Sequence, residues 1–214
     1  MRYDLIIFDN DGVLVDSEPI SNTILAAYLT ELGHPTTYEE SVRDFMGAAL
    51  HRVHDLVGER TGQALPDDFD DTLHARVFAA FERELEPVAG VSEVLKGLRA
   101  DGVAYCVASS GSHERIRVGH RRTGLDRWFR EDTVFSAEDV GRGKPAPDLF
   151  LHAARRMGVA PERCAVVEDS PLGLAAGRAA GMDVYAFTAM TPVAELAGAG
   201  GYFSVMEELP ALLA

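Results

Sequence analysis

The chain has 214 residues, with 34 acidic and 20 basic side chains, so its formal charge is 20 − 34 = −14 with histidines neutral. An apolar content of 47% with 25% charged residues is ordinary for a globular protein and excludes disorder. No run approaches the roughly 20 apolar residues of a membrane span, and the acidic balance without a basic stripe argues against nucleic acid and anionic membranes.

At roughly 100–200 residues per domain, this length suits one domain with a large insertion, or two small ones. The N-terminus places Asp4 ahead of four apolar residues, unlike a secretory signal. Cys106 and Cys164 each sit inside apolar runs and read as buried thiols of a cytoplasmic protein rather than as a disulfide. Of the 20 basic residues, all but Lys96 and Lys144 are arginine, and Lys144 stands between Gly143 and Pro145.

Asp4–Asp9 is a short apolar run ended by carboxylates and Gly12, the pattern of a buried strand in a parallel sheet. Residues 16–86 then carry helical spacing only. Ile20, Ile24, Leu25, Tyr28, Leu29 and Leu32 share one face, and Gly33 stops that helix. Thr37 and Glu40 form a capping box that opens a second. A third is expected over about 48–60, and a fourth over about 68–85 with Phe69, Leu73, Val77, Phe81 and Leu85. Pro87–Gly90 marks the return to a different pattern. Val103–Ser109 and Cys164–Asp169 repeat the apolar strand signal, Val184–Thr188 is a weaker fourth, and helical patterns follow near 112–123, 171–180 and 192–198. This alternation predicts an α/β fold, a Rossmann-like parallel-sheet core formed by 1–15 and 87–214, with residues 16–86 inserted as an all-helical domain.

The chemistry gathers at the strand ends. Asp9 and Asp11 lie two residues apart where the first strand stops. An Asp-Asn-Asp-Gly stretch is also a turn sequence, and a calcium loop is ruled out by Val13 and Leu14 at positions that need a ligand and glycine. Ser109 through Ser112 end the second run and open a helix, as a phosphate site or as an ordinary N-cap. Gly143-Lys144-Pro145 precedes a helix expected to begin at Pro147, and it is no P-loop, because Glu138 and Pro145 stand where glycine and Ser or Thr are required. Glu168 and Asp169 end the third run, where they suit either a site or the next helix's N-terminus. Gly173, Gly177 and Gly181 recur every fourth residue, as close helix packing requires. If the three strands are neighbours, four carboxylates meet beside Ser109 and Lys144. Like charges about 4 Å apart repel by about 4 kcal/mol at an effective dielectric near 20, so the cluster requires a cation. Oxygen ligands point to Mg²⁺.

Together the motifs at 9–18, 109, 143–147 and 168–173 resemble the haloacid dehalogenase superfamily, in particular its β-phosphoglucomutase-like phosphatases. The resemblance implies a helical cap on a Rossmann-like core. It also implies Asp9 as nucleophile, Asp11 as acid and base, and Ser109 and Lys144 as catalytic groups around the transferring phosphoryl. Asp9, Asp11 (through its carbonyl), Glu168 and Asp169 are the implied Mg²⁺ site. Ser109, Ser110, Lys144, Gly47 and Arg76 are the substrate- and phosphate-binding set. Ser21 stands where the mutases carry a cap histidine, and Gly47 is followed by Ala48-Ala49-Leu50 instead of the mutase Gly-x-Ser/Thr-Arg, so a phosphatase leads and a phosphosugar mutase follows. Neither lysine falls within 16–86, which excludes the phosphonate-cleaving branch and its cap lysine; Asp11 separates the chain from the dehalogenases. Arg52 and Arg76 are either substrate contacts or surface arginines. His51 and His54 lack a third ligand at convincing spacing. A catalytically silent binding module would break the Asp-x-Asp motif or lose the lysine, and both are intact. The expected partner is a small phosphorylated metabolite, with no nucleic acid or membrane, on a monomer or weak dimer.

Overall fold

The computed structural model describes residues 2–46 and 50–214. Two compact units are present: residues 1–16 with 86–214, and residues 17–85.

The first unit is built on six parallel strands. They are β1 (Leu5–Phe8), β2 (Ala104–Ser109), β3 (Val134–Ser136), β4 (Cys164–Glu168), β5 (Asp183–Phe187) and β6 (Gly201–Phe203), in the spatial order β3-β2-β1-β4-β5-β6. β1 is central, with Phe8 paired to Val107 on one side and to Val167 on the other. All four of its residues are fully buried, because both faces of the sheet are covered. Leu5 and Ile7 point to the side on which Leu149, Phe150, Ala153 and Leu174 pack, from α1 (Asp148–Met157) and α2 (Pro171–Ala179). Two further helices of this unit, α3 (Val91–Ala100) and α4 (His113–Thr123), connect to β2 and follow it. The four apolar runs expected as strands are β1, β2, β4 and β5. Only a 3-10 turn, Val193–Leu196, forms where a helix is expected at 192–198, since Pro192 and Gly198 (φ +94°) bracket too few residues for a helix.

Ser170 caps α2 by accepting the Gly173 N–H at 3.0 Å, and Pro171 begins it. The chain leaves and re-enters this unit through neighbouring residues: the Asp16 N–H donates to Glu86 O at 3.0 Å, and the Val88 N–H to Leu14 O at 3.0 Å.

The second unit contains helices at Glu18–Glu31, Tyr38–Phe45, His51–Thr61 and Phe69–Glu84. Gly33 follows the first at φ +88°. The capping box is formed, with the Glu40 N–H on Thr37 Oγ1 at 3.2 Å and the Thr37 N–H on Glu40 Oε2 at 2.9 Å. Leu25, Tyr28, Leu29, Phe69, Leu73, Val77 and Phe81 are its buried centre, where Tyr28 stacks on Phe69 at 5.1 Å. Among the described residues, no helix is long and apolar enough to cross a membrane.

Candidate active site

Strand order decides what meets at the carboxyl edge. With β1 between β2 and β4, Asp9 emerges between Ser109 and the Glu168–Asp169 pair. The Asp9 N–H still donates to Val167 O at 2.9 Å, so the backbone is fixed up to the functional side chain.

Lys144 reaches this edge from the loop before α1, across a cis peptide to Pro145. Its Nζ donates to Asp9 Oδ1 and to Glu168 Oε1, each at 2.6 Å, and lies 5.0 Å above the Phe150 ring. The Lys144 side chain is only 5% exposed, so its charge is compensated almost wholly by these two carboxylates. Burial pushes Lys144 down, but Asp9 and Glu168 reverse that, and the net direction is up. Asp9 is also raised, from the value of a free carboxyl. Burial raises it, Lys144 lowers it and the Glu168 and Asp11 charges raise it again, to about 7.

Oxygens of Asp9, Glu168 and Asp169 lie within 4.8 Å of one another. Three hard oxygen donors at such spacing suit a divalent cation, which would relieve their repulsion. Both Glu168 oxygens already have donors: Lys144 holds Oε1, and the Ser170 N–H and hydroxyl hold Oε2 at 2.8 and 2.9 Å. The Asp11 carboxylate is turned elsewhere. Its Oδ1 accepts from Arg115 Nη2 at 2.8 Å and its Oδ2 from Asn10 Nδ2 at 3.2 Å. The carboxylates that converge are those of Asp9, Glu168 and Asp169.

Two glycines make room. Gly12, at φ +79°, leaves space where a side chain would run into the Asp169 carboxylate. Gly173 does the same for Glu168, so of the three glycines read as helix packing only Gly177 fits that reading, with an added Cβ 2.6 Å from Val184 Cγ2. Gly181 has nothing within 4 Å and sits at φ +75°, just beyond α2. Its role is to turn the chain.

Ser109 is 1% exposed at the end of β2, and its Oγ accepts the Gly111 N–H at 3.0 Å. Ser136, from β3, donates to Gly111 O at 2.7 Å, and Glu138 accepts the His113 N–H at 3.0 Å, so the Ser109 loop is tied to its neighbour. Ser110 is exposed. Ser112, rather than Ser109, caps α4 by accepting the Arg115 N–H at 3.2 Å. In the other unit, Arg76 donates to Glu31 at 2.7 Å and lies 4.1 Å over the Tyr28 ring, and His54 pairs with Asp70 at 2.8 Å. Gly47, named with the phosphate-binding set, lies outside the described residues. Asn10, Arg115, His120 and Ser136 carry no motif. In a chain with so many arginines, only the helix-start pattern after Ser112 singles out Arg115.

A parallel sheet with clustered carboxylates and a lysine at its carboxyl edge, interrupted after the first strand by a helical unit, defines the class. A model of the haloacid dehalogenase-like hydrolases matches residues 3–181, and the chain belongs to that family. The 6-phosphogluconate phosphatase of Escherichia coli is 33% identical over 189 residues, spanning 88% of this chain and 84% of its own. A β-phosphoglucomutase of Mycobacterium bovis is 33% identical over 211 residues, spanning 81% and 76%. A haloacid dehalogenase-like protein of unknown function from Agrobacterium tumefaciens superposes with a TM-score of 0.90 at 36% identity, covering 99% of this chain and 97% of that one.

Proposed function

We propose that the protein is a phosphatase that hydrolyses a small phosphomonoester, a sugar phosphate or similar metabolite, through an aspartyl-phosphate on Asp9. The observation that carries this reading is the buried Asp9–Lys144–Glu168 bridge with Asp169 beside it, three carboxylates against one ammonium, an excess of negative charge that a bound cation would offset.

In the first step an Asp9 oxygen attacks phosphorus, and the ester oxygen leaves with a proton from Asp11. In the second, water gives a proton to Asp11 and attacks the same phosphorus. The bond to Asp9 breaks and inorganic phosphate departs. Splitting the reaction this way replaces one difficult displacement by two easier ones. The Ser109 hydroxyl and the Lys144 ammonium bind the phosphoryl oxygens, with the exposed Ser110 at the rim. Lys144 also keeps Asp9 in line through Oδ1, leaving Oδ2 to attack. Asp9, Asp169 and the Asp11 carbonyl would hold Mg²⁺, with Glu168 serving first to anchor Lys144. Bound there, the ion would neutralise charge on the phosphoryl group. The helical unit is assigned the cap role, with Arg76 and the residues around Gly47 as candidates for substrate choice. The buried, free Cys106 and Cys164 suit a cytoplasmic protein.

Ser21 supports hydrolysis over phosphoryl return to a sugar. A serine does not titrate near neutral pH and cannot act as the mutases' cap histidine does. The test is phosphate release from sugar phosphates with Mg²⁺ and after EDTA. Release that stops with EDTA and returns with Mg²⁺ is expected; full activity in metal-free buffer overturns the assignment. Rapid conversion of β-glucose 1-phosphate to glucose 6-phosphate, given a trace of the bisphosphate and with little free phosphate, would establish the mutase instead.

A further inference from the structure

Asp11 is held by more than its own strand end. Arg115 Nη2 donates to Oδ1 at 2.8 Å, and Asn10 Nδ2 donates to Oδ2 at 3.2 Å. Because the Asp11 carboxylate only accepts, the Asn10 amide must turn its NH₂ there and its carbonyl away. That carbonyl meets His120 Nε2 at 3.0 Å, so Nε2 carries the hydrogen. Burial holds His120 down at about 4, against the opposing charges of Asp11 and Asp126, and the ring stays neutral with one fixed tautomer. Asn10 and His120 are 2% and 3% exposed, so neither amide nor ring is free to turn into water.

Arg115 is equally constrained. Its N–H is taken by Ser112 Oγ at the start of α4. Its stem crosses the Ser109 loop where Gly111 has no side chain: a Cβ there would lie 3.2 Å from Arg115 Cδ and 3.3 Å from Ser109 Oγ. The ion pair is shielded, with side chains 26% and 20% exposed.

We propose that Arg115, acting with the Asn10–His120 pair, is a positioning residue that fixes the direction of the Asp11 carboxylate for proton transfer. The proposal rests on Asp11 as the acid and base, and goes beyond it by assigning the groups that aim it. One carboxylate must deliver a proton to the leaving oxygen and later collect one from water at nearly the same point. A misplacement of about 1 Å there costs about 10²-fold in rate. Two donors on two different oxygens remove the rotation that a single donor would permit.

The test is a mutant cycle with Mg²⁺ and β-glycerophosphate, whose alkoxide leaving group needs a proton. Arg115→Met keeps the stem and helix propensity and is expected to lower kcat about 10²-fold, with KM little changed. Arg115→Lys keeps the charge without the fork and should recover part of that loss, which also guards against a folding defect in the methionine variant. In an Asp11→Asn background, Arg115→Met should cost nothing further, because its target is gone. A raised KM at unchanged kcat would mean that Arg115 holds substrate instead, and overturns the proposal. A full multiplicative loss in the double variant overturns it too. If Asp11→Asn alone turns over at the wild-type rate, the role of Asp11 falls and this proposal with it; if Asp11→Asn falls to a low but measurable rate and only the cycle fails, the role of Asp11 stands.

Discussion

Two aspartates bracket β1, and they behave oppositely. Asp4, before the strand, pairs with Arg163 at 2.7 and 2.9 Å on the surface, and that hydrogen-bonded guanidinium lowers its carboxyl. Asp9, after the strand, pairs with Lys144 at 2.6 Å out of water, and burial raises its carboxyl to about 7. The residue type is the same, the partner is a cation in both cases, and only five positions separate them. The surface pair is a solvated contact of little net worth. The buried one sits where the Asp9, Glu168 and Asp169 carboxylates converge, whose mutual repulsion a cation would relieve, and the proposed site rests on this contrast.

The comparison breaks most sharply by substitution at the two ends. Asp9→Asn should lower kcat by about 10⁴-fold or more, as loss of a nucleophile does, with the circular dichroism spectrum unchanged. Asp4→Asn should leave kcat at the wild-type value. Lys144→Met leaves two buried carboxylates facing each other, and should destabilise by about 3 kcal/mol in denaturant unfolding besides abolishing turnover. Arg163→Met, on the exposed pair, should shift neither measurement appreciably.

Proton linkage sharpens the contrast. A carboxyl raised by folding stabilises the protein below its unfolded value, and that contribution is lost as pH rises toward about 7. Mg²⁺ takes the ionised form. Its addition should therefore raise the melting temperature more at pH 8 than at pH 5, in a scan of the chelated protein with and without the ion. A smaller effect is expected from Gly173→Ala, where the new methyl group displaces the Glu168 carboxylate. About 1–3 kcal/mol of overpacking should appear in unfolding, with weaker Mg²⁺ binding.

Asp4 and Asp9 look alike in sequence, each an acid at the edge of one apolar run. What distinguishes the second is its company, Asp11 and Gly12, which the motif reading captures. β1, β2, β4 and β5 are legible because strands covered on both faces are apolar throughout. β3 and β6 span three residues each and are too short to carry a pattern. Val91, Val94, Leu95 and Leu98 have plain helical spacing in α3, which an expectation of strict strand–helix alternation passes over. Within the site, carboxylates and lysine announce themselves by type and spacing. Arg115 and His120 do not, because they reach Asp11 and Asn10 across more than a hundred positions of chain. Gly173 misleads for a similar reason: its fourfold spacing is that of helix packing, while the group it accommodates is a carboxylate on the preceding strand.

The central claim is that Asp9 takes the phosphoryl group. Its most direct test is acid quench of the Mg²⁺-loaded enzyme within the first turnover of a ³²P-labelled sugar phosphate, followed by digestion and peptide mapping. The account predicts acid-stable, hydroxylamine-labile label on the peptide containing Asp9, absent from Asp9→Asn. Label on any other peptide, or label retained by Asp9→Asn, would contradict it.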